Sequence, residues 1–297
     1  MAKEKDISEK TLEDCNDVFA DIVNNVIFGG RKVVQPEALT NATVTSQMKL
    51  DGKLHEQERD VAKYWNDRKI RLCVLGLENM TQMEHDLVLR VFSYDGASYR
   101  EQVNDRISAR RARQKLRPVY PAITVVLYFG QNHWTAPRSL RECMQVELPP
   151  ELTALVPDYQ LHIVELAHMT PEQVEAFQSD FFLPVFYLNN PGSTPPADRV
   201  IRHVDETMKL MTAITGKPNY IDAGKDLLAR EEGGDITMLD FLERAEARGE
   251  ARGEARGREA AEKEFQTERK AYQAALSQKD RLIDELQRKL ALYQGGN

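Results

Sequence analysis

The sequence predicts an α/β fold in which a mixed β-sheet is flanked by helices and followed by a helical tail. Two nearly continuous apolar runs, at residues 70–80 and 121–129, are separated by a long polar, helix-compatible segment, and the chain ends in a charged helical stretch. Apolar runs of this kind form strands buried on both faces, and a strand–helix–strand crossover makes a parallel pair. With 297 residues, 41% of them hydrophobic, the chain can bury one α/β core and still carry a helical appendage.

The first half of the chain contains one amphipathic helix and three strands. Apolar residues recur at helical spacing over residues 11–30, with Thr11 as N-cap and Gly29-Gly30 as the stop. Residues 59–65 alternate enough to form a short strand, and residues 70–80 and 121–129 form buried strands. The segment between the two buried strands, residues 82–117, is a helix that Pro118 closes.

The second half alternates short elements. Residues 160–166 form a strand, and Thr170, Pro171 and Gln173 supply the cap, the first-turn proline and the capping-box partner of a helix that reaches about residue 178. Residues 189–196 are a loop by composition. A further helix over residues 197–215 stops at Gly216, with Pro218 behind it.

The end of the chain changes character. Residues 246–257 repeat Glu-Ala-Arg-Gly three times. Beyond them, apolar or aromatic residues recur on a heptad seam: Phe265, Tyr272, Leu276, Ile283, Leu286, Leu290 and Tyr293. A short self-associating coiled coil is one interpretation, and a single helix packed on the core is the other. The predicted domains are residues 1–188, a helical accessory region at 197–242 and the tail at 243–297.

Composition excludes several classes of protein. The net charge of −7 argues against a protein that coats nucleic acid with a basic surface, although a local patch can still bind it. Three cysteines without metal-ligand or disulfide spacing indicate a reducing cytoplasm. No stretch approaches the roughly 20 apolar residues of a membrane span. The sequence has no Gly-Lys-Ser phosphate loop, which argues against NTP hydrolysis.

Two carboxylates lie in or at the end of predicted strands: Asp60 in the short strand and Glu78 near the end of the strand at 70–80. A carboxylate at the end of a buried strand is costly unless a partner neutralises it. Mg²⁺ is such a partner, because it takes oxygen ligands from one or two carboxylates, and phosphodiester hydrolysis needs hard cations of this kind. The alternative is that Glu78 caps the strand in solvent or pairs with an arginine.

A run of cations follows on the predicted long helix, with no acidic residue between positions 106 and 117. Its members are Arg106, Arg110, Arg111, Arg113, Lys115 and Arg117. Mutual repulsion destabilises such a run unless it binds phosphate, which predicts contact with a nucleic-acid backbone. The alternative is a solvated helix end, where cations also suit the helix dipole.

Several motifs in this half of the chain resemble one known family. They are Arg59-Asp60-Val61-Ala62-Lys63-Tyr64-Trp65, Gly76-Leu77-Glu78-Asn79, Leu89-Arg90-Val91, Tyr94-Asp95-Gly96-Ala97-Ser98-Tyr99-Arg100, Tyr128-Phe129-Gly130 and Trp134-Thr135-Ala136-Pro137. Together they resemble the recombination-promoting nuclease and transposase family, within the PD-(D/E)XK phosphodiesterases, and the Glu-Ala-Arg-Gly tail is also similar. The resemblance implies a restriction-endonuclease-like core and a Mg²⁺- or Mn²⁺-dependent DNA endonuclease. It implies Asp60 and Glu78 as metal ligands, and a role in recombination or transposon-like DNA movement.

The sequence departs from the family pattern at Met80. The family has a lysine, or often a glutamine, two residues after the glutamate, and a thioether can neither donate a hydrogen bond nor carry charge. Gln82 could supply the donor after a shift or bulge, and Lys63 and Arg90 are other substitutes. Two further hypotheses stay open: a nuclease-derived protein that binds DNA or assembles without hydrolysis, and a structural coiled-coil adaptor. If Met80 faces an open site, glutamine or lysine there costs little stability and raises cleavage.

Overall fold

The computed structural model describes residues 10–42, 45–50, 53–58, 60–67, 70–217, 219–229 and 235–294. Its strands are β1 (Leu39–Asn41), β2 (Thr45–Leu50), β3 (Lys53–Glu58), β4 (Val61–Asp67), β5 (Ile70–Met80), β6 (Ala122–Tyr128), β7 (His162–Glu165), β8 (Val200–Ile201) and β9 (Ile236–Thr237). Its α-helices are α1 (Asn16–Val26), α2 (Leu87–Arg111), α3 (Leu140–Cys143), α4 (Pro150–Thr153), α5 (Pro171–Glu175), α6 (Phe182–Asn189), α7 (Val204–Thr215), α8 (Asn219–Leu228) and α9 (Met238–Gln294).

The main sheet has five strands in the order β1-β4-β5-β6-β7. The pairs β1/β4 and β4/β5 are antiparallel, whereas β5/β6 and β6/β7 are parallel. The predicted mixed sheet and the parallel crossover through α2 are therefore confirmed. The strand predicted at residues 59–65 is present as β4, shifted by two residues, and Arg59 lies outside the described residues. Strand β1 and the antiparallel pair β2/β3 were not predicted from the sequence.

Both faces of the sheet are covered, as the nearly continuous apolar runs require. On one face, Leu75 and Leu77 of β5 belong to a buried cluster with Phe19 of α1 and Phe182 of α6. On the other face, alternate residues pack under α2, and this cluster contains Met80, Leu87, Val88, Val91, Val126 and Tyr128. Side chains alternate along a strand, so Glu78 shares its face with Met80 and points toward α2.

The first predicted helix is interrupted. Residues 10–13 form a helical turn, Cys15 takes an extended backbone, and α1 begins only at Asn16. The break lets Asp14 present two oxygens to the buried Lys63: Lys63 Nζ lies 2.6 Å from the Asp14 carbonyl oxygen and 2.6 Å from its Oδ1. The stop at Gly29-Gly30 is confirmed, with φ of 60° and 83°.

The long helix ends earlier than expected, which corrects the picture of six cations on helical turns. α2 stops at Arg111, and Arg113 has a left-handed φ of 53°. Its N–H donates to the Arg110 carbonyl at 3.1 Å, and the Gln114 N–H donates to the Ala109 carbonyl at 2.8 Å. These two bonds form a Schellman closure, a C-terminal motif that glycine usually provides. Arg113 therefore lies in the closing turn, and Lys115 and Arg117 lie in the irregular segment that follows the helix.

Two boundaries in the second half also differ from the prediction. The capping box of Thr170 and Gln173 is confirmed, but α5 ends at Glu175, because Asp21 accepts the Gln178 and Ser179 N–H groups at 2.9 and 2.8 Å. Residues 200–201 form β8 instead of helix and pair with β9.

The next helix, α7, starts at Val204, where the buried Asp180 carboxylate accepts the Arg202 and His203 N–H groups. Gly216 ends α7 with a φ of 68° as expected. Pro218 lies outside the described residues. α6 was not predicted, and α8 lies in the region 197–242 that was predicted to be helical, although its own bounds were not.

The chain divides into two compact units, Met1–Leu242 and Glu243–Asn297. The helix α9 runs through the predicted seam to Gln294, and Phe265, the first seam residue, is exposed. The side chains of Tyr272, Leu276, Ile283, Leu286, Leu290 and Tyr293 lie outside the described ones, so the coiled coil stays a prediction. Among the described residues, no helix has the length and apolarity needed to cross a lipid bilayer.

Candidate functional site

Asp60, which lies one residue before β4 and not in the strand as expected, is a neighbour of Glu78 in β5. The register pairs Val61 of β4 with Leu77 of β5, which sets Asp60 opposite Glu78 at the next position. The Asn79 N–H, beside Glu78, donates to Asp60 Oδ2 at 2.6 Å. Glu78 is buried, and the Asp60 side chain is only 9% exposed. The structure thus brings together the two carboxylates that the sequence singles out.

Each carboxylate has a cationic partner. Lys10 Nζ lies 2.9 Å from Asp60 Oδ1. The Arg90 guanidinium, from α2, donates to Glu78 Oε1 at 2.8 Å and to Glu84 Oε2 at 2.7 Å. The arginine pairing considered for Glu78 is therefore present on one of its two oxygens.

The second oxygen of Glu78 differs from the first. Among the described residues, Glu78 Oε2 is buried without a hydrogen-bond partner, and so is the Nε of Arg90. Leaving a buried acceptor unsatisfied costs about 1–3 kcal/mol, and more for a charged group. An additional ligand beside Glu78 would remove this cost, and an oxygen-preferring cation fits a carboxylate donor set.

The pKa of Glu78 is raised from its ordinary 4.5 to about 8. Burial is the largest cause, and repulsion from Asp60 adds to it, whereas Arg90 and Lys10 act in the opposite direction. The two carboxylates thus destabilise each other's charged forms despite their cationic partners. A further cation at this place would favour the ionised form of Glu78.

Replacing Glu78 by glutamine should change how stability depends on pH. The folded protein holds the Glu78 proton up to about pH 8, whereas the unfolded chain releases it near pH 4.5. The native state therefore binds more protons across this window, and Glu78 makes the free energy of unfolding fall as pH rises. In urea unfolding without divalent ions, the free energy of unfolding of Glu78→Gln should increase relative to that of the wild type between about pH 5 and pH 8. The exposed Glu101→Gln is the matched control, and equal pH slopes for all three proteins would contradict the shift.

A third carboxylate, Glu13, approaches this pair and was missed in the sequence. It lies in the helical turn of residues 10–13 and is fully buried. The Asn79 side-chain amide donates to Glu13 Oε2 at 2.7 Å, so Asn79 contacts Asp60 through its backbone and Glu13 through its side chain. The only signal was a glutamate beside the apolar Leu12, and its inward direction depends on the break at Cys15, which periodicity does not reveal.

Met80 lies elsewhere than expected, in the apolar cluster under α2. It is 5% exposed and packs with Val88 and Val126 instead of facing an open site. Its Sδ is 3.2 Å from the Arg90 guanidinium, the same NH2 group that binds Glu78. Arg90 therefore covers the place where the family pattern has its lysine or glutamine.

The structure places Gln82 beyond the end of β5 and binds Lys63 to groups other than Glu78. β5 ends at Met80, and Gln82 is exposed two residues beyond it, so the strand does not carry Gln82 onto the face of Glu78. Lys63 is 1% exposed, and its Nζ is bound to Asp14 and, at 2.7 Å, to Asn41 Oδ1. Of the three proposed substitutes, Arg90 is the one that reaches Glu78.

The basic run lies at the other end of β5. Arg106, Lys115 and Arg117 line a groove of about 590 Å³ together with Arg71, and Asp105 also contributes to its wall. Arg71 is seven residues before Glu78 on β5, which corresponds to about 23 Å at 3.3 Å per residue. The structure therefore separates the two predicted functional features by a distance of about seven base pairs of DNA.

Comparisons with protein-family models, with curated proteins and with solved structures find no match to this chain.

Proposed function

We propose that this chain is a Mg²⁺- or Mn²⁺-dependent DNA endonuclease with a restriction-endonuclease-like core, of the recombination-promoting nuclease type. The observation that carries the proposal is the proximity of Asp60, one residue before β4, to Glu78 of β5, with Glu78 Oε2 buried and without a hydrogen-bond partner within the described part of the chain. A buried carboxylate pair at strand ends is a costly arrangement without a metal ligand role.

Each candidate residue would have its own role at the site. Asp60 and Glu78 would hold the ion, and the buried Glu13 accepts a hydrogen bond from Asn79, whose backbone N–H contacts Asp60. A bound ion would polarise the phosphate and activate a water molecule for attack. Arg90, in contact with both Glu78 and Met80, offers the positive charge that Met80 lacks.

In the ion-free protein, Lys10 and Arg90 occupy one oxygen each of Asp60 and Glu78. Glu13, Asp60 and Glu78 do not form a group, in the part of the chain that the structure describes, in which all ligand atoms lie within 4.8 Å of one another. Binding an ion would require Lys10 or Arg90 to shift away from its carboxylate. The cytoplasm suits such a protein, since Cys15, Cys73 and Cys143 are all free thiols.

The direct test is nicking of supercoiled plasmid by the pure, full-length protein. We expect Mg²⁺ or Mn²⁺ to support conversion to the open-circular form, and EDTA to stop it. Nicking that does not depend on the metal, or no nicking with either ion, would contradict the proposed activity.

A second candidate function is DNA binding or assembly without hydrolysis. It is favoured by Met80, which is buried where the family has a polar donor, and by the arginine already bound to Glu78. DNA binding that persists in EDTA, together with an absence of nicking, would support this alternative. If neither DNA binding nor divalent-ion binding is found, a structural adaptor built on α9 remains.

Replacing Arg110, Arg111 and Arg113 by glutamine should weaken binding to all DNA sequences alike. Phosphate contacts position the protein without reading bases, so the salt dependence of the affinity should become shallower by roughly one unit for each arginine that binds a phosphate in the wild type. Fluorescence anisotropy at several salt concentrations measures the slope. The matched control replaces Arg252, Arg256 and Arg258 in the tail. A slope unchanged by the first triple, or changed equally by both, would count against the basic run.

Replacing Met80 by glutamine should raise cleavage about tenfold, because it restores a donor next to Glu78. The cost in stability is larger than an open site would impose, since Met80 is buried among apolar side chains. We expect the free energy of unfolding to fall by about 1–3 kcal/mol for an unsatisfied buried amide, and by more for lysine beside Arg90. Cleavage normalised to folded protein is the measurement, and Met83→Gln, outside the strand, is the control. Unchanged normalised cleavage would contradict a role for a hydrogen-bond donor at position 80.

A further inference from the structure

A second group of metal-ligating side chains lies at the edge strand of the sheet. His133, Glu165 and His168 each offer one ligand atom, and these atoms all lie within 4.8 Å of one another. The two imidazole rings stack with centroids 3.8 Å apart and an interplanar angle of 21°. We propose that these three residues bind one first-row transition-metal dication of the Zn²⁺ class, at a site separate from Asp60 and Glu78.

The donor set determines the class of ion. Two imidazoles and one carboxylate suit Zn²⁺, Co²⁺, Ni²⁺ or Fe²⁺, whereas Mg²⁺ prefers oxygen ligands alone. Donor atoms around one tetrahedral ion are separated by about 3.4 Å, given bonds of about 2.1 Å. His133 Nδ1 and Glu165 Oε2 are already 3.0 Å apart. The remaining adjustment, at most about 1.4 Å between any two ligand atoms, falls on two exposed histidines, which can rotate.

Glu165 is held as a preoriented ligand. Its Oε1 accepts from Arg138 at 2.5 Å, and its Oε2 accepts the Trp134 N–H at 3.1 Å. Metal-bound carboxylates are commonly fixed in this way by further hydrogen bonds. Arg138 is also a like charge near the ion, so we expect an affinity in the micromolar range.

The loop that carries His133 is anchored beside the site. The Trp134 side chain is buried, its indole N–H donates to the Ala136 carbonyl at 2.9 Å, and its ring packs edge-on against Tyr128 at 5.1 Å. This anchor keeps His133 next to the end of β7. A bound ion would therefore join the loop to the turn that holds His168 and stabilise the folded chain.

The site opens into a cleft and is distinct from the first. The cleft, of about 580 Å³, is lined by the two histidines and Glu165 and, across it, by Gly29 and Gly30. Three protein ligands facing a cleft leave a coordination position for water or a further ligand. The register aligns Glu165 with Tyr128 and Tyr128 with Met80, so two strand spacings, about 10 Å, separate the two regions of the sheet edge.

The test is titration of EDTA-treated, full-length protein with ZnCl₂ by calorimetry, followed by the Co²⁺ absorption spectrum. We expect one Zn²⁺ per chain, a loss of affinity of at least about tenfold in His133→Ala and in His168→Ala, and no displacement by excess Mg²⁺. Thermal unfolding of the wild type should move upward with Zn²⁺ and that of His133→Ala should not.

Two control variants keep the result interpretable. His162→Ala removes an exposed histidine of β7 outside the group and should leave Zn²⁺ affinity unchanged. Asp60→Asn should bind Zn²⁺ like the wild type, so failure of the nuclease proposal and failure of this one are separable. The inference is overturned if the wild type binds no Zn²⁺, or if His133→Ala and His168→Ala bind it as tightly as the wild type does.

Discussion

Replacing Asp60 by asparagine is expected to lower plasmid cleavage by about 10³-fold or more. Asparagine keeps the shape of the side chain and an oxygen for the Asn79 N–H, but it removes the negative charge that an ion needs. Removing a single electrostatic interaction from an active site commonly costs about 10²–10³-fold in rate, and removing the metal abolishes several such interactions at once. The measurement is the initial rate of nicking at saturating Mg²⁺.

The control for this variant is Asp67→Asn, a conservative change at the exposed end of the same strand. It should cleave like the wild type. Asp60→Asn must also retain the wild-type circular dichroism spectrum and unfolding midpoint, because its neighbour Lys10 loses an ion pair. If the folded variant nicks plasmid at the wild-type rate, Asp60 is not a ligand of the catalytic ion, and the site must be sought elsewhere.

Replacing Arg90 by methionine is the second large effect that we expect. The guanidinium contacts Glu78 Oε1 at 2.8 Å and Met80 Sδ at 3.2 Å, so it is the cation nearest to the position of the missing donor. If Arg90 steadies the phosphate or the attacking water, its loss should reduce cleavage by about 10²-fold. The pKa of Glu78 should rise further in the variant, because Arg90 lowers it in the wild type. The variant's residual activity should therefore need a higher pH.

The same variant can also contradict this role. If Arg90 only occupies Glu78 in place of an ion, methionine should release the carboxylate, strengthen Mn²⁺ binding and raise cleavage. Arg100→Met, on an exposed position of the same helix, controls for the loss of one positive charge. Arg90→Lys should retain part of the activity under the proposed role, since lysine keeps the charge but loses the fork that contacts Glu78 and Glu84 together.

The strands of the core were predictable because their residues are apolar on both faces. The run at 70–80 is apolar nearly throughout, which requires cover on both sides, and β5 occupies those residues. The proximity of Asp60 and Glu78 was expected from the family resemblance, which implies both as ligands of one ion, although Asp60 lies one residue before β4 and not in the strand. The periodicity of apolar residues indicates which residues are buried and whether they form a helix or a strand, because both depend mainly on the local sequence.

The partners of the two carboxylates could not be read from the sequence. Lys10 and Glu13 contact Asp60 and Asn79 from a helical turn that ends before Cys15, and Asp14 beside the bend binds Lys63, 49 residues later in the chain. The position of Met80 under α2 likewise depends on how the helix packs. The end of α2 required a left-handed arginine, which no propensity favours. Long-range contacts of this kind decide the electrostatics of the site.

The most direct test of the central claim, that Asp60 and Glu78 together hold a divalent cation, is a calorimetric Mn²⁺ titration. The protein carries His133→Ala throughout, to remove the second candidate site. In this background we expect one Mn²⁺ per chain at pH 7, lost in both Asp60→Asn and Glu78→Gln. Buffers of different ionisation enthalpy should show release of close to one proton, since the Glu78 pKa of about 8 leaves its carboxyl protonated before the ion binds. Absence of binding, or binding that survives both substitutions without proton release, would contradict the account.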